Sequence, residues 1–174
     1  MRYFLLISLS LISFEVFSQD YTLSDSLRGN LSKKRTCYDV FFYDLNIIID
    51  EKKKAIINSF NDFHVKSIDD FSKIQIDLFK NLEINKIVFE NKILEYQRLS
   101  NAVFLDFPRQ INKGESISFR VYYSGNPRVA VNPPWDGGFS WELDNNKSHW
   151  IGVSCQGLGS SSWWPCKDHQ SDEP

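Results

Sequence analysis

The sequence predicts an all-β domain built as an antiparallel β-sandwich or saddle. Apolar residues recur at every second position in several runs, the period of a half-buried strand. Asn, Asp, Gly and Lys clusters separate these runs at short, regular intervals, as turns between strands do. No segment sustains a helical period. The aromatic content of 15% agrees, because Phe, Tyr and Trp fit a pleated, half-covered surface.

The chain has 174 residues. Its start reads as a signal peptide over residues 1–18: Arg2 supplies the positive end, "YFLLISLSLISF" the apolar stretch, and "VFSQ" a small-residue cleavage site after Ser18. Glu15 interrupts the run, leaving it shorter than the roughly 20 residues a membrane helix needs. No second apolar segment follows, so the expectation is an exported protein, secreted or periplasmic, with no membrane span. Residues 19–35 are polar and aperiodic and read as a flexible lead-in.

The folded domain is expected over residues 36–174. "CYDVFFYDLNIIID" opens it with Phe41, Tyr43, Leu45, Ile47 and Ile49 on one face and Asp44, Asn46 and Asp50 on the other. "EKKK" at residues 51–54 turns the chain, and "AIINSFNDFHVKS" returns as the second arm of a hairpin. In "DDFSKIQIDLF", Ile74, Ile76 and Leu78 alternate with Gln75 and Asp77. "EINKIVFEN", "ILEYQRL" and "AVFLDFP" give three further short strands, with turn residues near Asn85, Asn91 and Asn101. "NKGE" at residues 112–115 is another turn, followed by "SISFRVYYSG" with Ile117, Phe119, Val121 and Tyr123 on one face. Beyond Gly125 the chain becomes rich in Pro, Gly, Asn and Trp, and "DNNK" is placed to close a hairpin between "FSWEL" and "HWIGVS".

Composition excludes some functions. The net charge is −2 with acids and bases interspersed, and nucleic-acid binding requires a basic face. The three histidines, His64, His149 and His169, include no pair four apart that would share a helical face at a zinc site. His169 lies near Cys166, Asp168, Asp172 and Glu173, but without metal-site spacing, and reads as part of a polar loop. "GSSSW" is not G-x-S-x-G. The glycines around it lack the Lys of a phosphate-binding loop. Asp172 and Glu173 are adjacent and point apart in an extended chain. Cys155 and Cys166 offer one disulfide pairing with Cys37 left over, against three free thiols. Trp135, Phe139, Trp141, Trp150, Trp163 and Trp164 form a dense aromatic group. It serves equally as core beneath a long loop or as a stacking surface for glycans or peptides, the latter making the chain an exported binding module.

The segments "PPWDGGFSW" and "WIGVSCQGLGSSSWWPCKDHQSDEP" resemble the N-terminal domain of the M1 family of zinc aminopeptidases, in particular its secreted bacterial branch. "YDVFFYDLNIIID" and "INKGESISFRVYYSG" fit that domain's earlier strands, so the resemblance spans roughly residues 36 to 174. It implies a β-rich saddle packed on a catalytic domain and lending one loop to the active site. In that loop the family carries Gln or Glu nine residues before the Pro of its P-C-x-D segment. Here these are Gln156 and Pro165, and the resemblance makes Gln156 the residue that holds the free α-amino group of a substrate peptide. The family's G-x-M-E-N segment and H-E-x-x-H zinc helix do not occur in the 174 residues. The resemblance therefore implies no zinc, no metal ligand and no catalytic residue in this chain itself, although the full-length family uses zinc. It implies a truncated, inactive portion of a secreted aminopeptidase, with its sheet incomplete at the C-terminal end. A separately encoded catalytic domain would be its partner.

Overall fold

In a computed structural model, residues 21–172 are described; the expected signal peptide and residues 173–174 lie outside them. Two short helices come first, α1 (Leu23–Gly29) and α2 (Lys33–Thr36). Ten strands follow: β1 (Tyr38–Asp50), β2 (Ala55–Ser67), β3 (Phe71–Asp77), β4 (Leu82–Phe89), β5 (Lys92–Ile93), β6 (Glu95–Leu99), β7 (Ala102–Ile111), β8 (Ser116–Gly125), β9 (Gly138–Leu143) and β10 (His149–Ser154). They form a five-stranded sheet in the order β1-β2-β8-β4-β5, a three-stranded sheet β3-β7-β6 and the hairpin β9-β10. Every strand pairing within these sheets is antiparallel.

The two larger sheets enclose one apolar core. Phe63 of β2 stacks on Phe119 of β8 with ring centroids 4.6 Å apart. Phe107 of β7 crosses from the three-stranded sheet to meet Phe119 at 5.8 Å and Phe89 of β4 at 5.1 Å, both edge-on, an arrangement the aromatic quadrupole favours. Ile74, Ile76, Val103 and Leu105 complete the opposing layer, each fully buried.

Strict alternation holds where the sequence predicts it most clearly. In β8, Ile117, Phe119, Val121 and Tyr123 all point into the core. β1 is different: Tyr38 and Val40 are buried, Phe41 and Phe42 are about half exposed at 52% and 54%, and Tyr43, Ile47 and Ile49 turn back onto the core. The cause is an irregularity in its pairing with β2 between Val40 and Phe42. An extra residue at a bulge reverses which side chains face inward. Phe41, expected on the buried face, is therefore outside it.

Within residues 19–35, expected as an aperiodic lead-in, the described part carries α1 and most of α2. Thr22 accepts from the Asp25 amide at 3.3 Å and donates its own amide to the Asp25 carboxylate at 2.9 Å, a reciprocal cap on α1. The segment has no apolar period because α1 buries no residue. What it contributes to the interior is one charge, the Arg35 side chain, which is wholly buried. β3 is covered on both faces: Gln75 and Asp77, which alternate with Ile74 and Ile76, are buried under the two helices and the closing segment, residues 155–172.

Candidate functional site

The hairpin β9-β10 delivers the chain into a glycine-punctuated stretch that carries Gln156. The Cys155 carbonyl accepts from the amides of Leu158 at 3.0 Å and Gly159 at 3.1 Å, closing a tight turn. Gly157 and Gly159 adopt φ of +67° and +77°, a region L side chains rarely occupy. Gln156 donates its amide to Ser154 Oγ at 3.4 Å, and Ser154 Oγ donates to the Pro134 carbonyl at 2.9 Å. Gly137 approaches from the "PPWDGG" loop so closely that a Cβ there would come within 2.8 Å of the Gln156 carbonyl. The backbone at Gln156 is thus held against the "PPWDGG" loop while its side chain is exposed.

Below this turn the chain forms a 3-10 turn over Ser160–Ser162 and then lies across the two sheets. Asn61 of β2 donates its side-chain amide to the Pro165 carbonyl at 2.8 Å. Cys166 exchanges both backbone hydrogen bonds with Asp77, at 2.8 and 3.0 Å, extending β3 by one bridge. The Asp77 carboxylate is the hub. It accepts from Arg35 at 2.6 Å, from Gln75 Nε2 at 3.2 Å and from the Asp168 amide at 3.1 Å. Burial pushes its carboxyl up to about 6, with Arg35 the largest opposing influence. Arg35 also donates to the carbonyls of Asp168 at 3.2 Å and Leu27 at 3.0 Å. One buried ion pair thereby ties together α1, α2, β3 and the closing segment.

Lys167, Asp168, His169, Ser171 and Asp172 of "PCKDHQSD" are committed to structure. Asp168 accepts from the hydroxyl of Ser161 at 2.5 Å, Lys167 Nζ donates to the Tyr38 carbonyl at 2.7 Å and lies 2.9 Å from Asp172, and His169 Nδ1 engages Ser171. The acids and the histidine therefore do not converge on a common point. Among the described residues no cluster of three or more His, Cys, Asp or Glu could hold a metal ion, and zinc chemistry does not fit this set of donors. All three cysteines are free thiols, Cys37 and Cys166 buried and Cys155 exposed. Burial raises the Cys37 thiol to about 11 and Cys166 well above the usual range.

The aromatic group divides. Trp141 stacks on Phe139, Trp163 meets Phe139 edge-on, and Trp164 meets Tyr43 edge-on at 5.0 Å, so these three indoles belong to the core margin. Trp135 and Trp150 are exposed, at 83% and 60%. Beside Gln156 a cleft of about 610 Å³ opens between α1 and the closing segment, lined by Asp25, Arg28, Cys155, Gly157, Asp168 and His169 among others. Sequence reasoning missed Arg28, Arg35 and Asp77. No local pattern marks them, because their role arises only when helices, β3 and the closing segment meet.

No protein-family profile matches the chain, and no curated protein matches it. Solved structures do. An M1 zinc metallopeptidase from Deinococcus radiodurans superposes with a TM-score of 0.57 at 22% identity, over 78% of this chain and 30% of its own. The leukotriene A4 hydrolase of Saccharomyces cerevisiae superposes with a TM-score of 0.61 at 13% identity, over 86% of this chain and 24% of its own. The chain thus spans less than a third of the length of either protein. What it shares with them is the β-rich fold of the M1 metallopeptidase N-terminal domain.

Proposed function

We propose that this chain is the substrate-anchoring N-terminal domain of an exported M1-type zinc aminopeptidase, with Gln156 as the anchor. The observation that carries the reading is the combination of that shared fold with an exposed Gln156 whose backbone is held against a neighbouring loop. The Oε1 atom of a Gln side chain accepts hydrogen bonds and has no acidic proton. Placed at the mouth of an active site, it would accept from the protonated α-amine of a peptide and leave N-blocked chains unheld. A carboxylate there would bind the amine more strongly through its charge. Peptide cleavage itself requires zinc and a general base, which a catalytic domain supplies. No zinc-helix motif occurs in these 174 residues, and no step is assigned to them beyond binding and orienting the amine. A free-standing aromatic binding platform is the weaker reading, because Trp141, Trp163 and Trp164 are packed against the core.

Two measurements test this. The genomic sequence following the chain, or a gene encoding a partner that co-purifies with it, should encode H-E-x-x-H. Finding neither overturns the proposal. In the enzyme containing both domains, Gln156→Ala should raise KM for peptides with a free N-terminus by about ten- to a hundredfold, the cost of one hydrogen bond to a charged group. Gln156→Glu should retain or improve binding. Equal loss on free and N-acetylated peptides would exclude the anchoring role.

A further inference from the structure

Gln156 stands on a turn whose support comes from an unexpected direction. Three points of α1 reach other parts of the fold. Ser24 Oγ lies 3.2 Å from Ser100 Oγ in the turn before β7. The Leu27 carbonyl accepts from two buried side chains, Arg35 at 3.0 Å and Gln75 Nε2 at 2.9 Å. One residue further, Arg28 Nη2 donates to the Gly157 carbonyl at 3.1 Å. The groups that grip Leu27 are the same ones that grip Asp77. A continuous path of hydrogen bonds therefore runs from β3 through Asp77, Arg35 and Leu27 into α1, and from Arg28 to the residue next to Gln156.

We infer that α1 is a brace for the Gln156 turn and that Arg28 is a positioning residue for the anchor. The significance for substrate binding rests on the role proposed for Gln156; the brace itself does not. Mechanically, the turn needs such a brace. Its two glycines at positive φ are the residues with most freedom to lose. The internal bonds from Cys155 fix only its base. Gly137 closes one side, and Arg28 is the contact across the cleft on the other. Arg28 can bridge this gap because its long stem carries a planar, multi-donor head.

The test uses the full chain and amide hydrogen exchange in Arg28→Ala and Arg28→Lys variants. Arg28 is exposed, so neither change removes core packing. Arg28→Ala should speed exchange at Gly157, Leu158 and Gly159 by about two- to tenfold, the equilibrium effect of one lost hydrogen bond. Amides of β2 and β8 should stay at the parent rate. Arg28→Lys should recover part of the protection, since an ammonium can still reach the carbonyl. Unchanged exchange in the turn overturns the brace, as does uniform acceleration across turn and sheets, which reports only lost global stability. In the two-domain enzyme, Arg28→Ala should raise KM for free-N-terminal peptides and leave kcat within about twofold, the mark of lost uniform binding. Local exchange that quickens with KM unmoved supports the brace and counts against the role proposed for Gln156. KM moving while exchange does not overturns the brace.

Discussion

Asp77 is pulled in opposite directions by its surroundings. Three donors favour its charged form, while burial disfavours it more strongly and raises its carboxyl from 3.8 to about 6. A folded-state value above the unfolded one means that the native protein holds the extra proton between them. The contribution of Asp77 to stability is then greatest at low pH and declines as pH rises from about 4 to about 6. Urea unfolding midpoints measured across that range should fall relative to those of Asp77→Asn, which has no such titration. Parallel curves for the two proteins would contradict the assignment. The balance fits the general behaviour of buried ion pairs, whose desolvation rivals their attraction, so that they fix an arrangement more than they stabilise it.

Strand ends and turns are where single substitutions should act most strongly on the fold. Gly125 ends β8 with φ at +139°, and a Cβ there would meet the Asn81 backbone carbonyl at 2.8 Å. Gly125→Ala should therefore cost about 1–3 kcal/mol, the usual penalty for forcing an L residue into such a conformation. Thermal or chemical denaturation would measure it, and a neutral result would mean that the β4-β8 end relaxes freely. How much of this architecture is legible in the sequence depends on the element. β8 reads correctly because one face is core and the other is not, so alternation is local information. β1 reads correctly as a strand, with Tyr43, Ile47 and Ile49 on the core side, but not at Phe41, since the bulge there is a property of pairing with β2. The helices were illegible because α1 buries no side chain, and the capping pair Thr22 and Asp25 is too short a signal in a polar stretch. Gln156 is a candidate only through the resemblance its segment carries. Nothing in its own chemistry separates it from Gln170, and the contacts around its turn come from Pro134 and Gly137 of a neighbouring loop and from Arg28, more than a hundred positions away in the chain.

At the scale of the molecule, the closing segment spans both sheets and ties them to the helices. Its Asp168, His169 and Asp172 side chains are occupied with hydroxyl and lysine partners. Zinc or a chelator should accordingly leave the melting temperature of this chain unchanged. A rise of several degrees on adding stoichiometric zinc would reveal a site, because a ligand that binds only the folded state stabilises it by mass action. The thiols of the same segment offer something different. Only the thiolate of a cysteine attacks, and Cys37 and Cys166 are both buried with raised pKa values, whereas Cys155 is exposed. A maleimide fluorophore at neutral pH should therefore label the native chain at Cys155 alone, one residue from Gln156. The unaltered protein carries its own attachment point for an optical reporter, whose emission would test the proposed peptide capture in real time.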